Sequence, residues 1–170
     1  MNTRKQHGFT IIEVVLVLAI AGLIFLMVFI ALPALQKGQR DTQRRNDVSR
    51  FRAQVNQFQA NSKGAVPASS AAVMDPAAAP KRGTFISGYL DHSGGWKDPL
   101  TGNDYPLFRP YAPGVGVTLS GKLSTPGTWT YLENAKCDEA NDTLITGSGA
   151  RTYAIAMKLE GSGVTCQDNQ

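Results

Sequence analysis

One run of residues governs what this chain can fold into. Over residues 9–32 every position is apolar or small except Thr10 and Glu13. As a helix, this stretch is about 36 Å long at about 1.5 Å per residue, enough to cross a hydrocarbon core of about 30 Å. Pro33 follows directly and is expected to end or kink the helix, since it has no N–H to donate and its ring crowds the preceding turn. No second run of this length exists, which excludes a polytopic transporter. The averages conceal the feature: mean hydropathy is −0.16 and 42% of residues are hydrophobic, values ordinary for a soluble domain.

A secretory signal peptide is the plainer reading of such a start. Arg4 and Lys5 would form its basic region, and Ala19-Ile20-Ala21 resembles a cleavage site that would leave a chain beginning at Gly22. Two features oppose it. The apolar run continues through Ile30, so cleavage there would leave an apolar terminus. Glu13 would also place a charge within the hydrophobic region. A carboxylate deep in a bilayer costs about 2.5–3.5 kcal/mol on insertion scales and usually has a partner. One turn inside the membrane, Glu13 could alternatively reach the headgroups.

The net charge of +4 is distributed unevenly. Residues 36–63 carry Lys37, Arg40, Arg44, Arg45, Arg50, Arg52 and Lys63 against Asp41 and Asp47. Residues 64–170 are slightly acidic. The expected role of the basic segment is a solvated helix face just outside a membrane, with anionic lipid or DNA as candidate ligands. More positive charge follows the span than precedes it, which by the positive-inside rule would put the N-terminus outside. The cysteines and the N-terminal motif argue for the opposite orientation.

That motif is Gly8-Phe9-Thr10-Ile11-Ile12-Glu13, set between a short basic leader and an apolar helix. It resembles the processing site of type IV pilins and of the pseudopilins of type II secretion. The resemblance implies that a prepilin peptidase in the membrane cuts between Gly8 and Phe9 and that Phe9 is then N-methylated. Gly8 suits such a site because it has no side chain to obstruct a protease cleft. The resemblance also supplies Glu13 with a partner, the freed amino group of Phe9 on a neighbouring subunit. Two charges that are each costly in an apolar medium are less so together. Residues 31–36 resemble the proline segment at which the helix loosens during filament assembly, although Pro33 lies about three residues later than in common members. The implied partners are further copies of the chain in a helical filament, the membrane, the peptidase and a pilus assembly platform. The implied location is the cytoplasmic membrane for the precursor and an extracellular filament for the mature subunit.

Beyond the membrane run, Val48, Phe51, Val55 and Phe58 recur at helical spacing and predict an apolar stripe on a continuing helix. Asp41 and Arg45 form an i,i+4 pair. Prolines 67, 76 and 80 mark residues 64–83 as a loop. Strands are expected at 105–110, 114–119, 128–134 and 152–160, with a short last strand at 164–166. In the fourth, Tyr153, Ile155, Met157 and Leu159 alternate with Ala154, Ala156, Lys158 and Glu160, the cleanest period-two pattern in the chain. The expected fold class is α+β: a long N-terminal α-helix, membrane-spanning in its first half, packed against a small antiparallel β-sheet. This resembles the pilin fold. The corresponding segments are a leader (1–8), a membrane and filament-core helix (9–35), its amphipathic continuation (36–63) and a globular part (64–170).

Cys137 and Cys166 are the only cysteines. Outside the membrane an even pair suggests a disulfide, the alternative being two free buried thiols. Their placement resembles the disulfide-bounded region of many type IV pilins. The stretch from Asp98 to Asp104 has oxygen-rich side chains around Gly102, which can hold calcium or simply form turns. Calcium there would resemble the major pseudopilins. The spacing is not that of an EF-hand, so neither a metal nor a cofactor is assigned. His7 and His92 stand without a nucleophile or acid partner, and no nucleotide loop or triad motif appears. The expectation is therefore a structural subunit of a type IV pilus, not an enzyme. Adhesion, twitching motility and DNA uptake are its candidate roles. The alternatives are a pseudopilin of a type II secretion system or, from another class, a single-span anchored extracytoplasmic binding protein or enzyme.

Overall fold

The computed structural model describes residues 8–69, 74, 85–90, 95–106, 118–161 and 163–170. Arg4, Lys5, His7, His92, most of the 70–83 loop, the latter part of the expected 105–110 strand and most of the 114–119 strand lie outside the described residues. The chain divides into two units, Met1–Gly38 and Gln39–Gln170.

Helix α1 runs from Ile11 to Asn61. Pro33, expected to end or kink the helix, does not end it and sits inside it. The missing N–H removes one bond, to the Phe29 carbonyl, and a helix of this length carries that loss on its flanking bonds. In the second unit α1 buries Val48, Phe51 and Val55 completely, with Phe58 half-buried beside them, the stripe that the spacing predicts.

The strands follow as β1 (Trp129–Glu133), β2 (Ala135–Asp138), β3 (Thr143–Thr146), β4 (Tyr153–Lys158) and β5 (Val164–Asp168). β1, β4 and β5 form an antiparallel sheet in the order β1-β4-β5, with Tyr131 opposite Ile155 and Ala156 opposite Cys166. The α+β class holds. β2 and β3 form a separate antiparallel hairpin that the sequence pattern does not reveal. Each has only four residues and neither alternates cleanly. Leu119, expected to end a strand, instead opens a short helix, Leu119–Lys122, capped by the Thr118 hydroxyl accepting from the Gly121 amide at 3.1 Å.

The central strand β4 is buried on both faces. Tyr153, Ile155 and Met157 face the aromatic core of Phe51, Phe85, Trp96, Trp129 and Tyr131. Phe51 lies at the centre of that core, its ring centroid 5.3 Å from those of Phe85, Trp96 and Trp129. Ala154 and Ala156 face a second core with Leu119, Leu123, Ala135 and Leu144. The alternation in β4 therefore separates large from small residues, not buried from exposed ones. Alanines on the second face let the short helix and the hairpin approach closely.

Candidate functional site

The Gly8–Glu13 motif lies at the start of α1. Residues 8–10 precede the helix, and Phe9 is 89% exposed. A side-chain carbon added at Gly8 would meet nothing within 4 Å among the described residues. Thr10 and Glu13 form a reciprocal cap. The Glu13 carboxylate accepts from the Thr10 amide and hydroxyl, both at 2.8 Å, and the Thr10 hydroxyl accepts from the Glu13 amide at 3.4 Å. This is a capping box, in which two residues three apart satisfy each other's unpaired amides at a helix start. A Thr three residues before a Glu at the head of an apolar run is the sequence signal for such a cap, which the motif reading did not use. Glu13 thus has a partner within its own chain.

The apolar run that follows has the highest hydropathy in the molecule, with a mean of 3.2 over its best 18-residue window, and none of that window is buried. Leu16, Val17, Leu18, Leu23, Phe25, Phe29 and Ile30 are each more than half exposed. Soluble monomers rarely expose contiguous apolar patches beyond a few hundred Å². This surface requires a non-aqueous surrounding, as a membrane anchor has.

The basic segment differs from its expected form. Arg44 is fully buried, not solvated. Its guanidinium donates twice to the Asp98 carboxylate, at 2.9 and 2.7 Å, and once to Asp41 at 3.1 Å. Arg40 meets Glu160 through two bonds of 2.7 Å. Asp41 accepts the Glu160 and Gly161 amides, both at 2.7 Å. The i,i+4 pairing expected between Asp41 and Arg45 is not made. Asp41 pairs at i,i+3 with Arg44, because the loop after β4 brings backbone donors to that side of the helix. Arg45 is exposed, as is Arg52.

These contacts set the acid–base behaviour of the cluster. Burial pushes the Asp41 carboxyl up, but the two amides and the Arg44 guanidinium outweigh it and hold it below the usual aspartate range. Glu160 is held down by the Arg40 hydrogen bonds against a weaker effect of burial. Asp47 moves the other way: burial raises it, although the Tyr105 hydroxyl donates to it at 2.7 Å. Tyr105 itself is raised by burial and by that bond to Asp47.

The stretch from Asp98 to Asp104 is a tight turn. The Asp98 amide donates to Asn103, and the Gly102 amide donates to the Asp98 carbonyl. Gly102 takes the left-handed conformation, φ +69°. One Asp98 oxygen, Oδ1, is already shared by two nitrogens of Arg44. Among the described residues, no group of three or more acidic, histidine or cysteine side chains is arranged to hold a metal ion.

Cys137 and Cys166 are joined by a disulfide with a Cα–Cα distance of 6.1 Å. It ties β2 of the hairpin to β5 at the edge of the main sheet, and the Cys137 amide donates to the Asp168 carboxylate at 2.8 Å.

No curated protein and no solved structure matches the chain. Residues 3–29 match the family described as the prokaryotic N-terminal methylation motif, the stretch that holds Gly8, Phe9, the Thr10–Glu13 cap and most of the exposed apolar run. Over that stretch the chain carries the N-terminal signature of type IV pilins and pseudopilins.

Proposed function

We propose that the chain is a structural subunit of a type IV pilus. The observation that carries this reading is the methylation motif set directly against an apolar helix whose surface is uncovered. Residues 1–8 are a leader removed by cleavage between Gly8 and Phe9, and Phe9 is N-methylated. The precursor is held in the membrane by the 9–35 helix. Assembly exchanges lipid for the same helix of neighbouring copies, and Glu13 moves from Thr10 to the amino group of a neighbour's Phe9. Residues 36–63 continue the helix under the globular part formed by 64–170. A pseudopilin of type II secretion shares the motif, and the Cys137–Cys166 region supports the pilin reading over it.

The test is intact-mass and N-terminal peptide mass spectrometry on protein from its native cell surface. The expected product begins at N-methylated Phe9. A chain still beginning at Met1, or one beginning at Gly22, would sink the reading. A second test replaces Glu13 with Ala. Filament recovery should drop while cleavage and membrane insertion persist.

A further inference from the structure

The hairpin of β2 and β3 carries a sequence signal that the subunit reading does not use. Its tip is the four residues 139–142, between the paired Asp138 and Thr143. Asn141-Asp142-Thr143 is Asn-x-Thr with no proline between, the acceptor pattern for an N-linked sugar. Of the eight asparagines in the chain, Asn141 is the one followed two positions on by Ser or Thr. Three residues recur by chance, so placement decides. A bulky sugar is tolerated where it stays in solvent. Glu139, Ala140 and Asn141 are exposed, while the hairpin packs on the second core through Ala135 and Leu144. The Cys137–Cys166 bond fixes the base of the hairpin, and such bonds persist in the oxidising space outside the cytoplasm.

The chemistry of the tip is compatible with a sugar. The Asn141 Nδ2 donates to the Asp138 carboxylate at 2.8 Å. An amide nitrogen carries two hydrogens, so a sugar can replace one while the other keeps a donor for that bond. Beside the tip, a cavity of about 340 Å³ is bordered by Asp138, Glu139, Asp142, Leu119 and Val164. Carboxylates there can accept from sugar hydroxyls, and the apolar side chains can meet a sugar's C–H face.

We propose that Asn141 is a site of N-linked glycosylation. The donor class is a carbohydrate activated at its anomeric carbon by a phosphate leaving group. A bond forms from Nδ2 to the anomeric carbon as the bond from that carbon to the phosphate oxygen breaks. The phosphate leaves with the electron pair, and one Nδ2 proton passes to a base of the transferase. In the closed hairpin Asp142 has φ +51°, and its carbonyl and carboxylate accept the Leu119 and Ser120 amides. The segment is turned there, whereas an extended one would present Asn141 and Thr143 on the same face. Transfer therefore belongs to the chain before the hairpin closes, and the folded hairpin displays the product. The assignment requires that residues 64–170 cross the membrane, not that the chain forms a filament.

The experiment is peptide mass spectrometry on protein from its native cell, reduced, alkylated and cut with trypsin. Residues 137–151 form one tryptic peptide, set between Lys136 and the cut after Arg151. The expected peptide is heavier by the mass of a sugar chain, and electron-transfer fragmentation places that mass on Asn141. Asn141→Gln should lose it. Thr143→Val, which leaves Asn141 in place, should lose it too, whereas Thr143→Ser should retain it. A wild-type peptide at its unmodified mass would overturn the proposal, as would sugar located on Thr143, Thr146 or Ser148. Sugar kept in Thr143→Val, or lost in Thr143→Ser, would count against it as well.

Discussion

The two halves of α1 share a backbone geometry and differ in almost everything else. Residues 9–35 present apolar side chains on every face, and none is buried. From Arg40 to Phe58 the helix buries one stripe against an aromatic core and uses its charges as specific partners. The first half is therefore specified by its composition and needs only an apolar solvent. The second is specified by contacts that other parts of the chain supply. A substitution in one half should accordingly leave the property of the other untouched.

The largest separation is expected from a pair of variants. Asp98→Ala leaves the buried Arg44 without its closest carboxylate and should cost the folded unit about 3–5 kcal/mol, measured by chemical denaturation in micelles. Leu23→Arg should leave that denaturation unchanged while reducing membrane insertion by about 3–4 kcal/mol on an apparent insertion scale. If Leu23→Arg lowers the denaturation midpoint, or Asp98→Ala impairs insertion equally, the division between the halves is wrong. The double variant Arg44→Met with Asp98→Leu sharpens the point. It should lose less than Asp98→Ala alone, because no buried charge is left unpaired.

Next in size is the disulfide. Its separation of 29 residues corresponds to about 3–4 kcal/mol in the chain-entropy model. Cys137→Ser with Cys166→Ser should lower the midpoint of the folded unit by that amount and leave the exchange of α1 residues 11–32 unaltered. A double variant as stable as wild type would show that hairpin packing alone holds β2 against β5.

The pH response is smaller and has a definite sign. Asp41 and Glu160 have lowered values in the folded unit. Their contribution is present in full above the unfolded carboxylate range of about 4 and is lost as pH falls through the lower folded values. Asp47, raised by burial, acts in the opposite direction: its contribution is present below the unfolded value and is lost as pH rises through the folded one. The first pair should prevail, so melting temperature should fall between pH 5 and 2.5. A flat or rising profile would contradict the cluster. Glu160→Gln should flatten the fall in part.

The smallest effect belongs to the cap. Thr10→Ala removes the hydroxyl from the Thr10–Glu13 box and should cost about 1 kcal/mol of helix stability. The loss should be confined to faster amide exchange at 11–14, with no change in the folded unit. Propagation beyond the first two turns would show that the anchor helix depends on its cap more than on its apolar surroundings.

Much of this molecule is legible without coordinates, and the reason differs by region. The 9–32 run is read from composition because bilayer thickness and helix rise set its length. The stripe of Val48, Phe51, Val55 and Phe58 and the strand at β4 are read from periodicity, since each period reflects a buried face. The N-terminal motif is local, and its residues act as neighbours in sequence. The β2–β3 hairpin escapes because four-residue strands carry too few positions for a period to show. The second buried face of β4 escapes because Ala154 and Ala156 resemble a solvent side until the hairpin covers them. Among the charges, Arg44 and Arg45 are adjacent and alike in sequence, yet one is fully buried and the other exposed.

By itself the sequence determined that this protein has an apolar helix long enough to span a membrane, a methylation motif at its head and an α+β remainder. The helix and the strands follow from spacing and transfer free energy, which act within a few turns of chain, and the motif is read from its resemblance to a known processing site. Only the tertiary structure decided that Asp98 and Glu160 would be the partners of Arg44 and Arg40. Those residues are separated by 54 and 120 positions, and a charge has no spacing rule over such distances. Its partner is whichever group the packed core brings within hydrogen-bond reach, and burial turns that arrangement from an incidental surface pair into a requirement of the fold.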